Sequence, residues 1–169
     1  AQLTQLSGTN DFMVTNFDTA SGTHIEIVGG YFDGNKANQS GSAGTTSGDE
    51  LHNTFHLNGL QDSAIIGTYI INANNHCVYV KNSTNVDIHG NIIKDTRKEG
   101  ITIRSGGSHK IHTNHLYNTG WSFISTLTSY DVEITNNTGD TTSPITSAIT
   151  INGLRNTVKG NNVKNAFLG

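Results

Sequence analysis

The sequence predicts an all-β chain wound as a right-handed parallel β-helix, a solenoid of about 22–24 residues per coil. Three observations predict it. The first is internal repetition. Asp87-Ile88-His89-Gly90-Asn91-Ile92-Ile93-Lys94-Asp95 aligns with Lys110-Ile111-His112-Thr113-Asn114-His115-Leu116-Tyr117-Asn118 at a constant shift of 23. The second is the shape of the apolar runs. Each is three to five residues long, rich in Ile and Val, and alternates with period two, which suits strands and not helices. The third is composition. Only 33% of residues are hydrophobic, and Gly and Asn recur at turns, a balance that a thin continuous core tolerates. Antiparallel hairpins would not return the same phrase in the same direction; stacked parallel coils do.

The elements follow in order. Residues 1–21 are weakly patterned, with Phe12, Val14 and Phe17 in a short strand or an incomplete first turn. Ile25-Glu26-Ile27-Val28-Gly29-Gly30-Tyr31-Phe32-Asp33-Gly34-Asn35 reads as two strands and a tight corner with an αL glycine. Val28 and Tyr31 align with Ile66 and Tyr69 at an offset of 38, one period plus an insertion placed at residues 35–53. Four periods follow, with first strands at residues 55–57, 78–80, 101–103 and 122–124, and second strands centred on Ile66, Ile88, Ile111 and Ile134. A second insertion, residues 139–147, holds Pro144 and precedes a fifth period.

Stacking at this period predicts columns. Asn91, Asn114, Asn137 and Asn161 form one amide ladder, and Asn72, Asp95, Asn118 and Asn165 a second. Ile88, Ile111, Ile134 and Val158 form an aliphatic column, and Asp87, Lys110, Glu133 and Lys159 a column of alternating charge. Right-handed winding is chosen because parallel crossovers nearly always take that hand.

The bulk numbers exclude several classes. At 169 residues the chain is one domain, residues 1–169. Its ends carry no obvious cap, so a segment of a longer protein is expected. A net charge of -3 with no basic excess argues against nucleic-acid binding. No run is long and apolar enough for membrane insertion. Cys77 is the single cysteine, which rules out an internal disulfide. No cofactor motif is present.

The run Asn16-Phe17-Asp18-Thr19, followed by the segment from Ile25 to Asn35, resembles the opening of pectate-lyase-like right-handed β-helix proteins. Later Asn-x-x-Ile and Gly-Ile-x-Ile phrases are similar to the same group. The resemblance covers roughly residues 16–165. The Asp-Pro-His-type motif of the epimerases is absent, and so is the paired-aspartate pattern of polygalacturonase-type hydrolases. The phage tailspike and appendage type is what the resemblance leaves. It implies a homotrimer at a virion surface or outside the cell. It also implies a bacterial-surface polysaccharide or teichoic-acid polymer as partner, bound and in some relatives cleaved. A non-catalytic shaft or adhesin module is the other reading.

A solenoid presents columns of side chains on which an extended polymer can lie. The first-strand face predicts an outward column of His56, Tyr79 and Thr102, continued by Phe123 and Thr150. Lys81 and Arg104 follow the strands, and His76 and Glu99 precede them. A lyase needs a cation to neutralise a substrate carboxylate and a base to remove the adjacent proton. Arg104 suits the first task, and His76, His56 or Tyr79 the second. A hydrolase needs two carboxylates, and Glu99 with Asp95 is the closest pair in sequence. The candidate catalytic residues are therefore His76, Tyr79, Glu99 and Arg104, with His56, Lys81, Thr102 and Trp121 as candidate polymer contacts. An ordinary strand surface explains the same column without any ligand. The spacing of His109, His112 and His115 resembles a metal motif, but residues three apart on a strand face opposite ways, so no metal is predicted.

Overall fold

The computed structural model describes residues 2–4, 13–16, 24–39, 52–142 and 147–165. The strands it contains pair in parallel throughout. They build a β-solenoid of about five turns. Each coil has three limbs. In the central coil, strand Val78–His89 supplies the first two and Ile92–Lys94 the third. The first limb lies between Phe55–Asn58 and Ile101–Gly107, the second between Gln61–Ile66 and Lys110–His112, and the third between Tyr69–Ile71 and His115–Tyr117. First and second limbs share one bent eleven-stranded sheet, and third limbs form a seven-stranded sheet.

The predicted register holds at the aliphatic positions of the central coils. Val78 pairs with Ile101 and Ile101 with Ile124; Ile88 pairs with Ile111 and Ile111 with Ile134. Val28 pairs with Ile66 and Tyr31 with Tyr69, across the longer first period. The 139–147 segment lengthens its coil only slightly, because Ile124 pairs with Ile149 and Glu133 with Thr157. The 35–53 insertion begins with a 3-10 turn at Lys36–Asn38, and its residues 40–51 lie outside the described residues.

Backbone geometry explains the corners. Asn82, Ser105 and Thr128 share one left-handed position in successive coils. Asp62, Asn85, Ser108, Asp131 and Arg155 share a second, and Gly67, Gly90, Thr113, Asn136 and Gly160 a third. Asn and Asp tolerate this region better than other residues with a side chain, which accounts for their abundance. One corner differs from expectation. Gly34 is not left-handed; Asn35 is, at φ 50. Its N–H donates to the Asp33 carboxylate at 2.9 Å, an Asx turn. Gly34 is instead needed for space, since a Cβ there would meet the Asn72 carbonyl at 2.7 Å.

The amide ladder forms as predicted and is buried. Nδ2 of Asn91, Asn114 and Asn137 each donates 2.9 Å to Oδ1 of the Asn in the next coil. Each also donates 2.9 Å to a carbonyl of the preceding coil, on Ile65, Ile88 and Ile111 respectively. In return Oδ1 of Asn114 accepts from the Asn91 backbone N–H as well. Every buried polar atom of these amides is therefore paired, as burial demands. The second ladder binds through carboxylates: Asn118 donates to Asp95 at 3.0 Å and Asn165 to Asp140 at 2.8 Å.

Three registers correct the sequence reading. The second-limb core residue of its coil is Ile65, which pairs with Ile88; Ile66 pairs with His89. The charge column ends at Glu133, because Thr157 pairs with it and Lys159 pairs with Thr135. Ser125, and not Phe123, pairs with Thr102 and passes the column on to Thr150. Phe123 is buried in the core. Its ring occupies the space a side chain at Gly139 would take, in the third-limb column that otherwise runs Ile70, Ile93, Leu116. A glycine in that column thus explains an aromatic in the neighbouring limb.

Candidate functional site

Tyr79 sits between Val78 and Val80, both in the apolar core, so strand alternation sends its ring to the other face of the sheet. Register then aligns it with His56 before and Thr102 after. The face is nevertheless covered: His56, His76, Tyr79 and Thr102 are only 1–6% exposed. The His56 and His76 rings lie tilted against Tyr79, with centroids 5.1 and 5.3 Å away. Arg104 donates to the Tyr79 hydroxyl at 3.4 Å.

His76 is the hub of this cluster. Its Nδ1 lies 3.0 Å from the Thr102 hydroxyl and 3.0 Å from Glu99 Oε2. The Glu99 contact has an ion pair's distance without a hydrogen bond's alignment. The backbone N–H of His76 donates to Asn53 Oδ1 at 3.2 Å, and Asn53 Nδ2 lies 3.2 Å from His56 Nδ1. Asn53 was missed by sequence reasoning, yet its signal was present: Asn53, His76 and Glu99 are spaced by the same 23-residue period. Structure thus brings His76, Tyr79, Glu99, Arg104, His56 and Thr102 together. Lys81 pairs with Arg104 across the strands and is half-buried. Asp95 belongs to another corner, held by Asn118 and 3.7 Å from the Lys94 ammonium. Chemically, the cluster assembles a base, a carboxylate beside it, a phenol and a guanidinium, all largely enclosed.

Trp121 stands apart from that cluster. It is 50% exposed, and the ammonium of buried Lys98 lies 4.7 Å from its ring centroid. That arrangement is a cation–π contact that leaves part of the indole open.

An open concavity lies elsewhere. A groove of about 650 Å³ runs beside the third-limb sheet and is lined by Lys94, Tyr117, Asn118, Asp140, Thr142 and neighbours. Lys94, Tyr117 and Asp140 are register partners in three successive coils. Tyr117 is 39% exposed. Sequence reasoning passed over these residues because each, taken singly, resembles an ordinary polar turn or strand surface.

The three histidines of the apparent metal spacing are separated by corners: His112 ends strand Lys110–His112, and His115 opens strand His115–Tyr117 beyond the left-handed Thr113. His109 is fully buried and accepts the Val86 N–H at 3.3 Å, while His115 is exposed and bonds to Thr138. Burial pulls the His109 imidazole down to about 4. Cys77 is likewise buried, and burial pushes its thiol far above the usual range.

Comparison with protein-family models, curated proteins and solved structures finds no match to this chain.

Proposed function

We propose that this chain is the polymer-recognising segment of a tailspike-type appendage, binding a bacterial-surface polysaccharide or teichoic acid outside the cell or at a virion surface. The observation that carries the reading is the groove beside the third-limb sheet, with half-open Tyr117 flanked by Lys94, Asp140 and the Asn118 amide. A sugar ring stacks on an aromatic face, and amides, hydroxyls and a carboxylate meet its hydroxyl groups. Lys94 offers a cation to a uronate carboxylate or a teichoic phosphate. The coils repeat along the axis, so a repeating polymer meets a repeating surface. A homotrimer, as the tailspike resemblance implies, would add grooves between chains.

Calorimetric titration with purified capsular polysaccharide and wall teichoic acid tests the reading. Tyr117→Ala is expected to weaken binding about 5- to 150-fold, the size of a lost aromatic contact of about 1–3 kcal/mol. Trp121 fluorescence gives an independent readout. Binding that is indifferent to both Tyr117→Ala and Lys94→Ala would overturn the groove assignment.

A depolymerising role is a second reading, favoured by the 3.0 Å contact of His76 with Glu99 and by Arg104 on the Tyr79 hydroxyl. In it Arg104 neutralises the substrate carboxylate and His76 or Tyr79 removes the neighbouring proton. The enclosure of Tyr79 weighs against it. New unsaturated or reducing ends, lost in Glu99→Gln and Arg104→Ala, would establish it. Polymer binding that survives alanine at His76, Tyr79, Glu99 and Arg104, with no product formed, would assign the cluster a structural role.

A further inference from the structure

We infer that Asp87, His89 and His112 form a binding site for a first-row divalent cation of the zinc type. The inference rests on the second limb and is independent of polymer binding. Asp87 and His89 are two apart on one strand, so both leave the same face. His112 is the register partner of His89 in the next coil. Parallel coils lie about 4.8 Å apart, which brings all three side chains to one patch. One donor atom from each lies within 4.8 Å of the other two.

Details of the patch favour a cation over a plain ion pair. Asp87 Oδ1 is 3.1 Å from His112 Nε2, close to the donor separation in a tetrahedral zinc centre. That same Oδ1 is enclosed and receives no aligned hydrogen bond; the His112 nitrogen is its ion-pair contact. A buried acceptor in that state calls for a further partner. On the far side of the ring, His112 Nδ1 lies 3.2 Å from the Thr113 hydroxyl. With the proton on Nδ1 and shared with the Thr113 hydroxyl, Nε2 is left as a lone pair facing Asp87, the way a hydrogen bond on the far nitrogen orients a ligating histidine. The His89 and His112 rings stack at 4.7 Å, within 6° of parallel. One His89 nitrogen already lies within 4.8 Å of a donor atom of Asp87 and of His112.

Donor chemistry sets the metal class. Two imidazoles and one carboxylate suit Zn²⁺, Ni²⁺ or Co²⁺, whereas Ca²⁺ and Mg²⁺ demand oxygen ligands. Three protein ligands leave a coordination position open to water or to an external anion. Lys110, the register partner of Asp87, adds a nearby positive charge that weakens cation binding, and Glu133 on its other side offsets it.

The test is calorimetric titration of the whole chain with Zn²⁺ at neutral pH, followed by Co²⁺ substitution to read the ligand-field absorption of a four-coordinate site. One equivalent should bind. His89→Ala and His112→Ala should each weaken it by about a hundredfold or more, since losing a group that merely supports a ligand already costs about 10–100-fold. His115→Ala, on an exposed histidine of another limb, should leave it unchanged. Metal-free thermal melts of the variants separate loss of a ligand from loss of fold. Absence of stoichiometric uptake would overturn the site, and so would uptake that persists in the His89→Ala/His112→Ala double variant.

Discussion

At the scale of single residues, burial sets the chemistry. His109 is enclosed, and its Nδ1 accepts the Val86 N–H, a role only the unprotonated nitrogen can play. Its folded pKa of about 4 lies below the ordinary 6.5. Above pH 6.5 neither folded nor unfolded chain holds a proton there, and this group makes no pH-dependent contribution. As pH falls from 6.5 towards 4, the unfolded chain gains a proton that the folded chain refuses, so stability drops by about 3 kcal/mol. Urea melts across that range should show the decline, and His109→Gln should flatten it at a cost in stability at neutral pH. Asn114 makes a sharper prediction. Replacing it by alanine strands one N–H of the Asn91 amide and the Asn91 backbone N–H, and removes a donor from the Ile88 carbonyl. Each buried orphan costs about 1–3 kcal/mol, so Asn114→Ala should destabilise the chain by about 3 kcal/mol or more. Denaturant midpoints would read this directly.

At the scale of elements, neighbouring limbs share their packing. Phe123 and Gly139 fill one volume from two strands. Phe123→Ala should cost about 3–5 kcal/mol, and Gly139→Leu alone should overpack the same space. Combining them is expected to recover part of the loss, because the leucine restores the column that Leu116 and Ile93 begin. A double-mutant cycle in stability measures that coupling, and strict additivity would refute the shared volume. Gly106 makes a second element-level case. It sits at φ 103 over Ser83, and any Cβ there would overlap the Ser83 carbonyl. In the same column Ser83 donates to the Lys81 carbonyl, and its hydroxyl accepts the Leu60 N–H. Gly106→Ala should therefore unseat the bend between first and second limbs and lower the melting temperature, with circular dichroism as the check.

At the scale of the whole molecule, the coil is a device for repeating a side chain every 23 residues along one axis. That device explains both candidate surfaces. It gathers Lys94, Tyr117 and Asp140 into an open groove, and it gathers His56, Tyr79 and Thr102 into an enclosed row. Tyr117→Ala should reduce polymer binding, while Tyr79→Ala should act mainly on stability, because Tyr79 is packed and Tyr117 is not. Comparing the two variants in binding and in thermal melts distinguishes recognition from architecture.

Much of this was legible beforehand. The repeat of Ile88, Ile111 and Ile134, and of Asn91, Asn114 and Asn137, is a statement about vertical neighbours, and the register bears it out. The meeting of His76 with Glu99 was also readable, since both precede the same strand one coil apart. Periodicity, though, says which residues stack and not which are covered. Whether Tyr79 meets solvent depends on the rings and the guanidinium folded over it, which come from three different coils. Phe123 lies 21 residues past Thr102 and so falls off the period that carries Thr102 to Ser125; its ring turns into the core where Gly139 leaves space. The period, the strand direction and the ladders could be read along the chain, since they follow from local alternation and turn chemistry repeated at a constant interval. Depth, the groove beside Tyr117 and the meeting of Asp87, His89 and His112 arose from folding, since burial and convergence belong to limbs that pack against one another and to no single stretch of chain.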